Sequence, residues 1–454
     1  MEHFCTWPSI ESQVDDAIEV WNGCALPFLP PLPRLTPREQ RKREKAYDKG
    51  LRAVQREARR APRTPAERLS VQQRIVALFP GFAATALGLD AEATNLLTNN
   101  FLPTGTQFAR WARSFDPSLS IDDIIQACRN SWTCCGLQPL LGQPMGLTPS
   151  IVAYSLLYPY SDNCLDHSGL STNDKLQFSE RFRQRLRGRT PIAHNPREAS
   201  IWRLVQLIED QYPREQCPQV FDSLLAIHRA QEESIAQLSR DAGFDNSLDN
   251  PLANSELLRI TCAKGGTSVL ADACLAQPWL TAEDVRFSFE WGVLLQLGDD
   301  LQDLAEDRAR GSVTLFTRAI AQGISLDSLV LQLLHFSHHV SNRIDLLANG
   351  SRSLKDLLRM SWRSLILMAV ADAHEFFSPA FLAQLEPCSG FRFEFLRARN
   401  NKLTARQALF TTLFDAFLEA GEGAPGSLPS ARESHAALSI PPVAELPALS
   451  NSFA

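Results

Sequence analysis

The chain has 454 residues, 44% of them hydrophobic and 21% charged, with a formal net charge of -6. That balance belongs to a globular protein, long enough to bury a large core, and gives no global reason to expect a nucleic-acid partner. No window approaches ~18 uninterrupted apolar residues, so no bilayer-spanning helix is expected, and no basic segment followed by an apolar run suggests a signal peptide.

Taken in chain order, residues 1–33 read as irregular, ending in the proline-rich run Leu26-Pro27-Phe28-Leu29-Pro30-Pro31-Leu32-Pro33. Residues 34–68 carry 13 Lys/Arg against 5 Asp/Glu. Interspersed charges of this kind suit a solvated helix or extended arm; contact with anionic lipid headgroups, making the protein peripheral to a membrane, is the alternative. Residues 1–69 are therefore expected to form a proline-rich, then basic, N-terminal extension. From 70 to 420 apolar residues recur at three- and four-residue spacing, as in Leu326, Leu329, Leu333, Phe336 and Val340, which predicts one large all-α domain. Residues 421–454, with five prolines, one arginine and no lysine, are expected to be a disordered tail. The ten cysteines include no CxxC pair and no zinc-finger spacing. They are expected to be reduced, mostly buried thiols of a cytoplasmic protein, with Cys134-Cys135 serving packing.

Two segments carry acidic residues at helical spacing. In the first, Thr148-Pro149 reads as a helix start, Pro159 as a kink and Gly169 as a stop. Tyr154, Tyr158, Asp162 and Asp166 share one face of that helix. Two carboxylates one turn apart at a helix C-terminus cost stability, and a divalent cation would compensate, since hard oxygen ligands suit magnesium. A frayed, solvated helix end is the alternative for this segment alone. The second segment is expected to be one helix from Thr281 to Gly311. It places Asp299, Asp303 and Asp307 on one face with Asp300 beside them. Below them Leu295, Gly292 and Ser288 suggest room for a cavity, with Gln296 close to the acidic end. Four aspartates in nine residues repel one another unless a cation is present, and facing helices of a bundle can direct such groups into one central site.

A magnesium-bound diphosphate would also need cationic donors. Arg308 and Arg310 follow the acidic cluster, Arg129 precedes the first acidic helix, and Lys264 sits beside Gly265-Gly266 in an apolar helix. Lys264 is read either as a phosphate ligand or as a lysine reaching solvent beside a kink. The five alternating arginines from Arg181 to Arg189 spread around a helix and are expected to face solvent.

Leu295-Gln296-Leu297-Gly298-Asp299-Asp300-Leu301-Gln302-Asp303 resembles the second aspartate-rich motif of trans-prenyltransferases. The same segment resembles the LQxxNxxRDxxED pattern of squalene/phytoene synthases, with Asp303 and Asp307 at its acidic positions, Asp299 in place of Asn and Gln302 in place of Arg. Asp162-Asn163-Cys164-Leu165-Asp166 is similar to the first DxxxD of that branch. The chain thus resembles the class I isoprenoid (terpenoid) synthase superfamily. The resemblance covers two short segments; the paired arginines after the prenyltransferase first motif are absent. It implies an all-α bundle around a central apolar pocket, with Mg²⁺ on Asp162, Asp166, Asp299, Asp300, Asp303 and Asp307. Lys264, Arg129, Arg308 and Arg310 are the candidates to hold the diphosphate, and Tyr154, Tyr158, Trp291, Gly292, Leu295 and Gln296 the candidates to line the pocket. The implied activity is ionisation of an allylic prenyl diphosphate, followed by cyclisation or coupling of the carbocation. Chain elongation with isopentenyl diphosphate, or a helical scaffold without catalysis, are the alternatives.

Overall fold

The computed structural model describes residues 8–59, 64–166, 171–234 and 251–404. Among them every regular element is helical and no strand occurs. In order these are α1 (Ile10–Gly23), α2 (Pro37–Ala58), α3 (Pro65–Phe82), α4 (Ala91–Leu96), α5 (Leu102–Phe115) and α6 (Ile121–Leu140). Then come α7 (Pro149–Asp166), α8 (Thr172–Leu186), α9 (Pro196–Gln211), α10 (Pro218–Ser234), α11 (Pro251–Ala276) and α12 (Ala282–Gln302). The chain continues with α13 (Leu304–Arg310), α14 (Leu315–Ala321), α15 (Asp327–Arg343), α16 (Arg352–Asp372), α17 (Pro379–Leu385) and α18 (Phe393–Thr404). One hydrophobic core runs from Val14 on α1 to Phe393 on α18.

The centre of the bundle is the pair α11 and α12. Both are apolar around most of their circumference, which is how a helix enclosed by neighbours reads. Cys262, Leu270, Ala273 and Leu275 on α11, and Phe287, Val293, Leu297 and Leu301 on α12, are wholly buried. The two backbones meet at glycine. A Cβ on Gly265 would lie 2.5 Å from the Gly292 carbonyl oxygen, and one on Gly292 would enter the Gly265 carbonyl group. The expectation that Gly292 and its neighbours line a cavity is therefore corrected: Gly292 lets two buried helices touch. Ser288 is likewise fully buried.

Residues 8–33 depart from the expected irregular stretch, since α1 lies within them, and the basic block departs from the expected solvated helix or arm. Ser9 caps α1, its hydroxyl accepting the Ser12 amide at 3.1 Å, and Val14, Ala17 and Trp21 enter the common core. Their three- and four-residue spacing is a helical face that the proline run nearby obscured. The basic block forms α2, opened by a Thr36–Glu39 capping box. Its apolar face sets Tyr47 against Phe82, Phe391 and Phe395. Glu44 pairs with Arg392 at 2.7 Å and Asp48 with Arg399 at 2.6 Å. The block is thus a docked helix. Arg38, Arg41, Lys42, Lys45, Lys49 and Arg52 remain exposed on its outer side. Residues 421–454, expected to be a disordered tail, lie outside the described residues, as do 405–420.

The arginines of α8 are a second correction. Instead of facing solvent, Arg181 pairs with Glu198 at 2.5 Å, Arg183 with Glu232 at 2.6 Å and Arg185 with Glu209 at 2.5 Å. They tie α8 to α9 and α10, and Arg185 is buried. Partners from other helices decide this, and they are invisible in the local pattern. Cys24, Cys128, Cys134, Cys135, Cys217, Cys262, Cys274 and Cys388 are free and buried. Burial pushes the Cys128, Cys135 and Cys262 thiols up to about 12, which leaves them protonated packing groups.

Candidate functional site

Helix direction assembles the site. The Ser150 amide donates to Gln211 Oε1 at 3.0 Å, and the adjacent Tyr212 hydroxyl donates to the Leu275 carbonyl at 2.7 Å. Thus α7 begins beside the C-terminal end of α11. One turn later the Tyr154 hydroxyl donates to the Ser268 carbonyl at 3.2 Å, so α7 runs antiparallel to α11. The Gly265–Gly292 contact makes α12 antiparallel to α11 as well. On α6, Arg129 reaches Asp299 whereas Cys134, farther along, reaches the Asp272 carbonyl, so α6 runs with α11. The last turns of α7, the acidic end of α12, Arg129 and Lys264 are therefore carried toward one end of the bundle.

The local sequence makes this end. Thr281 starts α12 with a capping box to Asp284, and Gly311, at φ 76°, closes α13. Between them the single expected helix bends. Asp303 has φ -87° and ψ 10° and separates α12 from α13. The hydrogen bonds Asp303 N to Asp299 O (2.8 Å) and Asp307 N to Asp303 O (2.9 Å) bridge the bend. Four carboxylates in three turns, at the negative end of the α12 dipole, are crowded there.

Their surroundings differ. Asp299 is half exposed and pairs with Arg129, Nη2 to Oδ1 at 3.0 Å. Asp300 is buried and accepts the Gln296 side-chain amide at 2.8 Å. Burial raises its pKa to about 7; Gln296 and Lys264 oppose this, while Asp307 and Asp299 add to it. Asp303 rises to about 6, through burial first and then the negative charges of Asp299, Asp307 and Glu306, against Arg129. Asp307 is also raised, by burial, Glu306 and Asp299, with Arg310 and Lys264 opposing. Among the described residues, the five carboxylates, Glu306 included, thus outnumber the three cations that act on them, Arg129, Lys264 and Arg310. Among the described residues, no three His, Cys, Asp or Glu groups form a ready metal cage. Magnesium often needs none, because it binds through one or two carboxylates, waters and substrate phosphate oxygens. Oxygen-only donors with repelling charges fit that ion.

Several candidate residues are placed differently from expectation. Arg308 stacks its guanidinium 5.0 Å over the Phe376 ring, and Arg310 pairs with Glu306 on its own helix. The direct cation partner is Arg129, with Lys264 near Asp300 and Asp307. Tyr154 is buried, holds α7 to α11 and borders a very small cavity with Phe182 and His228. Trp291 is buried between Phe287 and Trp362, at ring distances of 5.6 and 5.3 Å. Leu295 packs, partly buried, on the core. The side chains of Tyr158, Asp162 and Asp166 and the expected stop at Gly169 lie outside the described residues; the α7 backbone continues through Pro159 to Asp166.

An apolar cavity of about 420 Å³ lies on the other side of α6, between α2, α3 and α5. Ile125, Cys128 and Trp132 of α6 line it together with Tyr47, Phe79 and Phe82, and Arg129 follows Cys128 directly. Aromatic rings and glycine contacts fill the space between α11 and α12, where Gly292 was expected to open a pocket. Sequence reasoning also passed over Asp272. It is wholly buried on α11, both carboxylate oxygens lack a partner, and burial pushes its pKa well above the ordinary range. A lone Asp within Val269-Leu270-Ala271-Asp272-Ala273-Cys274-Leu275 was the available signal.

Comparisons with family models, with curated proteins and with solved structures give no match to this chain.

Proposed function

We propose that the protein is a magnesium-dependent enzyme acting on prenyl diphosphates, as a class I terpene synthase does. The observation that carries this reading is the crowded end of α12. There, among the described residues, Asp299, Asp300, Asp303 and Asp307 are opposed by Arg129, Lys264 and Arg310, and the C-terminal end of α7, with Asp162 and Asp166, runs toward the same place. Asp299, Asp303 and Asp307, with Asp162 and Asp166 across the site, would hold Mg²⁺. Bound magnesium supplies Lewis-acid stabilisation of the charge that develops on a departing diphosphate.

The chain's own residues account for the remainder. Arg129 and Lys264 donate to phosphate oxygens, which orients the diphosphate and adds positive charge where negative charge grows. Gln296 holds the buried Asp300 in place. The hydrocarbon would lie against the apolar cavity that Ile125, Cys128 and Trp132 of α6 line, which would exclude water from it. The allylic C–O bond breaks with its electron pair going to diphosphate. The resulting carbocation is then consumed by an alkene of the same or a second chain, and loss of a proton restores neutrality.

The test is diphosphate release from C10 to C30 prenyl diphosphates, with Mg²⁺ or with EDTA, for the wild type and Asp303→Asn. Release that requires Mg²⁺ and falls at least 100-fold in the variant is expected, because the transition-state charge would lose a direct ligand. Folded wild-type protein that releases no diphosphate from any of these substrates, alone or with isopentenyl diphosphate, sinks the reading.

A further inference from the structure

A second cavity, of about 450 Å³, lies among the Pro31–Pro33 segment, the Gly88–Asp90 loop, α15 and α16. Arg363 of α16 and Gly88 both line it. Arg43 of α2 stands against the same glycine. Its Nη1 donates to the Leu87 carbonyl at 3.2 Å, and a Cβ on Gly88, whose φ is 74°, would enter its guanidinium. Arg34 approaches from the side, where the Leu35 amide donates to the Pro387 carbonyl at 2.7 Å. Arg34 and Arg363 are both close enough to bear on the Cys388 thiol.

Asp90, Asp345 and Asp356 also line the cavity, but among the described residues no carboxylate hydrogen-bonds to or ion-pairs with Arg34, Arg43 or Arg363. Asp345 and Asp356 both bind Arg359, at 2.5 and 2.8 Å. Asp90 accepts the Ala93 amide at 2.7 Å to cap α4. Glu39, which lies near Arg43, closes the capping box of α2. Among the described residues Arg363 and Arg34 make no hydrogen bond or ion pair, and Arg43 has only its carbonyl. Arg34 is exposed, but Arg43 and Arg363 are half-buried, and half-buried guanidiniums without a paired counter-charge carry a desolvation cost. In Arg363 that burial, with Arg43 adding to it and Cys388 opposing, pushes the pKa below its ordinary value.

A planar fork of N–H donors matches phosphate oxygens, and convergent forks favour a group with more than one negative charge over a single carboxylate. The volume is within the roughly 300–1,000 Å³ of small-molecule sites. Leu334, Leu357 and Met360 give the wall apolar surface. We propose that this cavity binds a phosphate or diphosphate ester, its anionic group between Arg363 and Arg43 and its carbon portion against those three side chains. The inference does not depend on the synthase reading, since no residue of the acidic cluster takes part.

The experiment is calorimetric titration with inorganic pyrophosphate at fixed ionic strength. EDTA is present throughout, which removes the divalent ions the acidic cluster would need. One saturable site is expected in the wild type and in Arg352→Gln, an exposed arginine on the same helix. Arg363→Gln and Arg43→Gln should weaken it at least tenfold. Sedimentation with phosphatidate-containing vesicles, against phosphatidylcholine alone, separates the sources: binding lost in Arg363→Gln assigns a lipid headgroup, and pyrophosphate binding without it assigns a soluble ester. Without anion, Arg363→Gln should melt at or above the wild-type temperature, because an uncompensated charge is gone. The proposal is overturned by a wild type that binds neither probe, by binding that Arg363→Gln leaves intact, or by a variant that melts lower and so reveals an internal partner.

Discussion

Gly292→Ala distinguishes a cavity from a helix contact. If Gly292 faced open space, alanine would be accommodated and would stabilise α12 by about 1 kcal/mol, the usual difference in helix propensity. The observed packing reverses the sign. The new methyl group meets the Gly265 carbonyl and comes within 3.0 Å of the Gly266 Cα, and backbone in two buried helices cannot swing aside as a side chain can. Overpacking costs about 1–3 kcal/mol when side chains can adjust, and occasionally more. Parting α11 from α12 belongs at or above the top of that range, so a net loss of about 2 kcal/mol is expected. Gly81, inside α3, is the matched control, because a Cβ there meets nothing within 4 Å. Gly81→Ala should gain roughly 0.5–1 kcal/mol. Urea unfolding of the two variants beside the wild type, followed by circular dichroism, measures both. A Gly292→Ala protein as stable as the wild type, or more so, would refute the packing argument and restore the cavity.

Other consequences concern charge. Asp300 titrates near 3.8 when unfolded and at about 7 in the fold, so the folded state binds its proton more tightly. Its contribution to stability is complete below about pH 4 and is lost as pH rises through 7; Asp300→Asn should flatten that part of a stability-versus-pH curve measured with EDTA, and an unchanged slope would count against the burial argument. Arg185→Ala leaves the half-buried Glu209 with only Arg214 beside it, which should cost about 2 kcal/mol in chemical denaturation. Thr281→Ala removes the cap of α12 and should cost about 1 kcal/mol, without altering the dependence of any diphosphate release on Mg²⁺.

The all-helical class was legible in the sequence because a buried stripe must recur every three to four residues, whatever packs on it. Caps were legible for the same local reason: Thr281 and Gly311 satisfy or release backbone groups within one turn of themselves. The acidic spacing on α12 was equally plain, since helical geometry alone puts Asp299, Asp303 and Asp307 on one side. Which cation faces them was not, because Arg129 lies 170 residues away in sequence and the nearer Arg308 and Arg310 find other partners. Nor could the sequence tell a glycine that opens a pocket from one that admits a neighbouring backbone, or a solvated arginine run from Arg185 paired inside the bundle. Those outcomes depend on direction and distance between helices far apart in the chain, and only the packed tertiary structure determines them.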